Sequence, residues 1–483
     1  MIIQDLDPKT VWKNFYKLTQ IPRPSKHEGA VVEFVKEFGT SLGLDVESDD
    51  VGNVVIRKPA TAGKENAPGV ILQAHLDMVP QKNSAKKHDF TSDPIETIIN
   101  GEWVTANETT LGADNGIGVA AIMSVLEADN IAHGPVEALF TVDEETGMTG
   151  AFVLKPGWLK GKILLNLDSE EDGELYVGCA GGLDSTAEWG YAAQAAQQDF
   201  IAVELFLKGL KGGHSGLDIN LGRANANKLI VRIIHELSKR VTLFIQSIDG
   251  GDLRNAIPRE ASAVIFIDKG NLSDVKDAVA SILSTIQSEY EHADPDIEAF
   301  IAETKPDTHA CMDDQSAEKL IQAVYACPNG VIRMSDTMEG VVETSTNLAI
   351  VKATPNEAEA HCLLRSSVET AKAYLADQIE SVFKLSGASV HFHGNYPGWR
   401  PNPESAILKT MIEVYEQIHH KVPAIKAIHA GLECGILGSK YPNWDMISFG
   451  PTIRFPHSPD EKVHIESVGN FWEYLKATLE AVS

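Results

Sequence analysis

The chain has 483 residues, with 41 Lys and Arg against 68 Asp and Glu, for a formal net charge of −27. Such a polyanion repels nucleic acid and anionic membrane surfaces, so neither is expected as a partner. The length exceeds one ordinary core, and a composition 43% apolar and 23% charged marks a soluble globular protein of two domains, or of one domain carrying a large insertion. No apolar run approaches the roughly 20 residues that cross a bilayer. The amino terminus lacks the basic flank and apolar stretch of a secretion signal. The five cysteines are odd in number and never form Cys-x-x-Cys, which fits reduced thiols in a cytosol. Any metal must therefore rely on His, Asp and Glu.

Helical periodicity covers residues 8–20, and Ser25-Lys26-His27-Glu28 has the spacing of a capping box that opens a second helix. Short strands are expected at 44–47 and 53–57. The apolar run 70–74 reads as a buried strand that stops at His75, and Asp77, two places on, falls on the same side of an extended chain. The Asn100-Gly101 pair between two β-rich runs predicts a hairpin. A glycine-rich turn around Asp114 then leads into a helix ending near 127, and strands follow at 136–142, 163–167 and 174–179. Strands alternating with helices predict an α/β sheet with helices on both faces.

From about 183 to 394 the order becomes strand, helix, paired strands, helix and strand, and it partly recurs. Residues 252–258, with the strand 261–267 and a helix from 273, match 343–350, 357–364 and a helix from 369. This is the pattern of a duplicated α+β module inserted into an α/β domain. The expected division is 1–183 and 395–483 for the α/β domain and 184–394 for the insertion. A helix at 405–419, a strand at 445–448 and a last helix from 467 complete the α/β part.

Several polar residues share one edge. His75, Glu144, Glu145 and Asp168 end or follow predicted strands, Asp114 precedes a helix, and His457 lies in a loop after a late strand. Taken singly, each has an ordinary use: His75 a structural histidine, Asp114 a helix cap, the glutamates a solvated turn, Asp168 and His457 loop residues. Together they occupy the edge where open α/β sheets form ligand crevices. Two imidazoles and three carboxylates suit a pair of zinc ions, each with one imidazole and one terminal carboxylate and both sharing a bridging carboxylate. A carboxylate left over can accept a proton from water.

The strings His75-Leu76-Asp77, Gly112-Ala113-Asp114-Asn115-Gly116, Asp143-Glu144-Glu145-Thr146-Gly147, Asp168 and Pro456-His457-Ser458 resemble the signature of the di-zinc peptidases that include aminoacylase, carboxypeptidase G and several dipeptidases. Gly212-Gly213-His214-Ser215-Gly216, Arg254-Asn255-Ala256-Ile257-Pro258 and His429-Ala430-Gly431-Leu432-Glu433-Cys434-Gly435 narrow the resemblance to bacterial members that cleave Xaa-His dipeptides. It runs nearly end to end.

The resemblance implies a zinc-peptidase domain with a mixed sheet flanked by helices and an inserted α+β lid. It implies two Zn2+, with Co2+ or Mn2+ as substitutes, and hydrolysis of unblocked dipeptides by a metal-bridged hydroxide with a glutamate base. His75, Glu145, Asp168 and His457 would be terminal ligands and Asp114 the bridge, with a cis bond to Asn115, where some relatives carry aspartate. Glu144 would be the general base, Asp77 would orient His75, and His214 would stabilise the oxyanion. Asn255 and Arg365 would hold the substrate carboxylate, Gly431 would offer backbone contacts, and Glu433 would meet the substrate amine or brace its loop. A double lid imitates within one chain the contact through which single-lid relatives dimerise, which leaves a homodimer open. The rival readings are an aminoacylase or desuccinylase acting on N-acyl amino acids, and a metal- or peptide-binding protein without catalysis.

Overall fold

The structure is a computed structural model and describes residues 2–306 and 308–482. It divides into two units: Met1–Gly178 with Trp399–Ala427 and Leu432–Ser483, and Cys179–Gly398 with Ile428–Gly431. The boundaries fall at 178/179 and 398/399 rather than at 183/184 and 394/395, and the short segment 428–431 joins the second unit. The first shift has a simple cause: the strand Gly181–Gly190 pairs along its whole length with Glu357–Ser366 of the second unit.

The first unit is built on an eight-stranded sheet. Its order is Asp45–Ser48, Val54–Lys58, Val136–Thr141, Val70–His75, Ile163–Asn166, Asp445–Ser448, Glu174–Cys179 and Ala424–Ile428. The four strands from Val136–Thr141 to Asp445–Ser448 run parallel, while the strands flanking them pair antiparallel. Val70–His75 and Val136–Thr141 are buried at every position, as parallel strands covered on both sides must be. The helix Ala113–Glu127 packs on the Val70–His75 strand and is buried almost throughout, its alanines and glycines admitting close neighbours. The predicted hairpin is present as Thr97–Asn100 and Trp103–Ala106. It lies in a separate four-stranded sheet with Lys462–His464 and Ile453–Arg454.

One local expectation fails. Ser25 and Glu28 do not form a capping box on the helix Gly29–Ser41, whose N-cap makes no side-chain bond. Ser25 Oγ instead donates to Asp77 Oδ2 at 2.8 Å, and Glu28 Oε1 accepts from the amides of Lys26 and Asp143. Asp77 has taken the Ser25 hydroxyl, and the Asp143 amide shares Glu28 with the neighbouring Lys26 amide.

The second unit holds a nine-stranded sheet. Along its main path the order is Glu298–Glu303, Phe200–Lys208, Ala261–Asp268, Leu243–Gly250, Val342–Ala353, Glu357–Ser366, Gly181–Gly190 and Ser389–Tyr396. The order is a mirror about the Leu243–Gly250 and Val342–Ala353 pair. Each half contributes one strand, a helix, two strands, a helix and an edge strand, so the duplicated module is real as topology. The sequence match was misplaced, however: the counterpart of Val342–Ala353 is Leu243–Gly250, not residues 252–258. Apolar faces of the helices Ala226–Ser238, Leu272–Glu289, Asp314–Ala326 and Glu369–Leu385 share one core with the sheet, including Ile230, Val279, Val324 and Ile379. Burying such side chains contributes about 1.5–3 kcal/mol each.

Candidate metal centre

The parallel strands deliver their polar ends to one place. His75 is the last residue of its strand, the turn after Val136–Thr141 carries Glu144 and Glu145, and Asp168 lies two residues beyond Ile163–Asn166. Asp143 adopts a left-handed conformation, φ 54°, which ends the strand and starts the short helix Glu144–Gly147. Asp114 enters at the start of the helix Ala113–Glu127, and the bond from Asp114 to Asn115 is cis. His457 arrives differently from the expectation: its loop follows Ile453–Arg454 in the four-stranded sheet, not a strand of the parallel sheet.

The two oxygens of Asp114 face two imidazoles. Its Oδ1 lies 3.1 Å from His75 Nε2, which is also 3.2 Å from Asp168 Oδ1. Its Oδ2 lies 3.3 Å from His457 Nε2, which is 2.9 Å from Glu145 Oε2. Each imidazole thus has its own terminal carboxylate, and Asp114 is common to both. Donor atoms of His75, Asp114 and Glu145 lie within 4.8 Å of one another. Glu145 Oε1, though buried, has no hydrogen-bond partner among the described residues.

So many carboxylates in one buried site repel each other. Burial pushes the Glu144 carboxyl well above its usual range, with Asp168, Glu433 and Glu145 adding to the push against the pull of His75. Burial likewise raises Glu145 and Asp168. Hydrogen bonding to Asp114 and then Glu145 lifts His457 to about 11. A set of N and O donors that concentrates negative charge and leaves a buried oxygen unpaired fits divalent cations of the zinc type.

Asp77 supports this centre. Its Oδ1 stands 3.4 Å from His75 Nδ1 and accepts the Glu144 amide at 3.0 Å, while Oδ2 accepts the Glu145 amide at 3.1 Å. Burial works against its charge, but His75, the Glu144 amide and Ser25 outweigh it and hold the carboxyl down at about 2. Asn115 donates to Leu167 O at 2.9 Å and to Asp168 Oδ1. An aspartate there would face the Asp168 carboxylate instead. Gly118 makes this possible, since a Cβ there would lie 1.9 Å from Asn115 Oδ1 and 2.6 Å from Leu167 O. Glu433 is fully buried, and its Oε2 accepts from Gln73 Nε2 at 2.6 Å and Thr141 Oγ1 at 2.7 Å.

The second unit gathers its own group. His214 pairs with Ala256, which brings the Asn255 backbone to Ser215: the Ser215 amide donates to Asn255 O at 2.8 Å. Nδ1 of His214 accepts the amides of Gly216 at 3.1 Å and Leu217 at 3.0 Å, which assigns the ring proton to Nε2. Burial, then Arg365, lowers its pKa, so the ring is a neutral donor. Arg365 is buried, donates to Ser215 Oγ at 3.4 Å and Tyr396 OH at 3.1 Å, and pairs with no carboxylate among the described residues. Gly431 keeps the Tyr396 ring close, because a Cβ there would lie 3.0 Å from Tyr396 Cε2.

Residues 71–481 match the model of peptidase family M20/M25/M40. The chain belongs to this family. Its members are metallopeptidases, and this M20 chain is a hydrolase of peptide bonds. It is 46% identical over 480 residues, 99% of each chain, to a cytosol non-specific dipeptidase of Escherichia coli K12. The structure of aminoacylhistidine dipeptidase from Vibrio alginolyticus matches with TM-score 0.95 and 48% identity, covering 100% of this chain and 98% of that one. Aminopeptidase PepT of Bacillus cereus, at 16% identity and TM-score 0.58 over 99% of both chains, shares the fold alone.

Some residues around these M20 side chains carried no signal in the sequence. Arg23, between two prolines, had no role assigned and is 2% exposed. Glu461, four residues past His457, is equally buried. His429 stood in a motif without a role; its Nε2 lies 2.7 Å from Ser345 Oγ, and burial, then Arg365, lowers it to about 3.

That last shift predicts acid lability. An unfolded histidine titrates near 6.5. Between there and about 3 the unfolded chain binds a proton that folded His429 does not. Its contribution is therefore intact above pH 6.5 and is lost as pH falls, by about 1.4 kcal/mol per unit. Urea unfolding from pH 6.5 to 4.5 should show a shallower loss for His429→Asn than for the parent, and parallel curves would refute the assignment.

Proposed function

We propose that this M20 peptidase is a cytosolic dipeptidase using two zinc ions, with a preference for histidine as the second residue. The observation that carries the two-metal reading is Asp114, whose oxygens each face one imidazole backed by its own carboxylate, Asp168 with His75 and Glu145 with His457. These five side chains would hold the pair. When bound, the cations would supply electrophilic activation of the peptide carbonyl and of water.

The chain's own groups do the rest. Glu144, held by its amide on Asp77 and with its side chain left for chemistry, takes a proton from the attacking water and returns it to the leaving amine nitrogen. His214 donates Nε2–H to the carbonyl oxygen as negative charge develops. Arg365, already oriented by Ser215 and Tyr396, takes the substrate carboxylate with its planar fork, and Asn255 assists it. Gly431 admits the substrate backbone beside Tyr396. Glu433 acts as a brace, since Gln73 and Thr141 occupy one of its oxygens.

The relatives' names support the substrate class and differ on breadth, one being non-specific and the other aminoacylhistidine-directed. Metal analysis coupled to a substrate panel tests the reading. Purified protein should carry about two zinc ions per chain, as dinuclear hydrolytic sites do. It should cleave unblocked dipeptides, fastest with histidine second, and leave tripeptides and N-acetyl amino acids alone. Preferential cleavage of N-acyl amino acids would replace this reading with the aminoacylase one, and zinc loading without hydrolysis of either class would make the chain a binding protein.

A further inference from the structure

Two buried charged side chains outside the ligand set grip the backbone that carries Asp114. Arg23 comes from the segment beside the end of the His75 strand, where Met78 N donates to Arg23 O at 3.1 Å. Its Nη1 donates to Leu76 O at 2.8 Å and Asp77 O at 2.9 Å, and its Nη2 donates to Gly112 O. One guanidinium thereby ties the strand end that carries His75 to the loop that carries Asp114. The fit is close: a Cβ at Gly112 would stand 2.6 Å from Nη2, and Gly112 has the left-handed φ of 70° that glycine adopts without cost.

Glu461 holds the same loop from the opposite direction in sequence. Its Oε2 accepts the amides of Leu111 at 2.6 Å and Gly112 at 2.9 Å, and its Oε1 accepts those of Ala113 at 2.8 Å and Asp114 at 3.2 Å. These are donors at the start of the helix Ala113–Glu127, which has no side-chain cap of its own at Gly112. Glu461 lies in the loop that carries His457, four residues on, and its amide donates to Ser458 O at 2.9 Å. A carboxylate that accepts four amides ties the His457 loop to the Asp114 loop.

We propose that Arg23 and Glu461 are positioning residues that set the spacing between the His75 and His457 halves of the centre, by clamping the backbone of residues 111–114 so that Asp114 faces both. This rests on the two-metal reading above. The hydrogen bonds of both residues go to backbone atoms rather than to a ligand side chain, and their opposite charges also reach Asp114 through space. Outer groups that fix ligand orientation typically change metal affinity about 10–100-fold when altered.

The test uses the full-length protein stripped of metal and titrated with cobalt(II), whose visible absorption reports ligand geometry. Glu461→Gln keeps the shape but turns an amide N–H2 toward backbone N–H donors. Arg23→Lys keeps the charge but cannot span three carbonyls. Both variants should fold by circular dichroism, bind cobalt about 10–100-fold more weakly with altered bands, and lose kcat while KM is unchanged. If the parent protein takes up no cobalt, the metal reading itself fails. If the parent binds and the folded variants match its spectrum and affinity, the positioning role is refuted. Loss of the fold in both variants also refutes it, because the pair would then hold the chain together rather than the centre.

Discussion

Glu144→Gln is expected to fold, to bind the same metal as the parent and to lose about 10³-fold in kcat, within the range that a positioned acid–base group contributes. The reason lies in how Glu144 is held. Its backbone amide, not its carboxylate, is the group bound to Asp77, so the amide side chain leaves the turn intact. Glu145, next in the chain, keeps its contact with His457. Glutamine fills the same space but has no basic oxygen to take a proton from water or return it to the leaving nitrogen. Metal content by atomic absorption beside initial rates on an unblocked dipeptide decides the matter. A variant within a few-fold of the parent's kcat would remove Glu144 from the mechanism, and a variant that loses metal would move it into the ligand set.

Arg365→Met should cost about 10²–10³-fold in kcat/KM on dipeptides with a free carboxylate, in line with truncating one partner of a buried charge pair. The substitution should not damage the fold, because Arg365 is a buried cation without a carboxylate partner among the described residues, and an apolar chain of similar length relieves that burial. The control is chemical. A dipeptide amide offers no carboxylate, so its slower hydrolysis should be nearly indifferent to the change. Arg365→Lys should remain impaired, since an ammonium cannot reproduce a fork aimed by Ser215 and Tyr396. Equal losses on acid and amide would show that Arg365 serves the structure rather than the substrate.

The parts of this protein that could be read in advance share one property: the residues that matter sit together along the chain. His75 closes an apolar run, Glu144 and Glu145 follow another, and Asp168 follows a third, so strand ends and ligand candidates appeared in the same short strings. Ser25 shows where this stops. Its spacing to Glu28 is that of a capping box, yet its hydroxyl is bound to Asp77, 52 positions away. His457 shows the same limit at the level of sheets: its loop follows a strand of the small four-stranded sheet, yet it reaches Asp114 and Glu145, which helices after other strands carry.

Sequence alone determined the alternating α/β plan and the candidate donor atoms, because alternation, turn chemistry and residue type are local properties, whereas the alignment of the duplicated module came from the sheet order. Tertiary structure alone decided the rest. It committed one oxygen of Glu433 to Gln73 and Thr141 and buried Arg365 against Ser215 and Tyr396. It also made Arg23 and Glu461 into clamps on one backbone segment, 89 and up to 350 residues away. A buried charge takes its meaning from what surrounds it in space, and the partners of the Arg23, Glu461, Arg365 and Glu433 side chains lie far off in the chain.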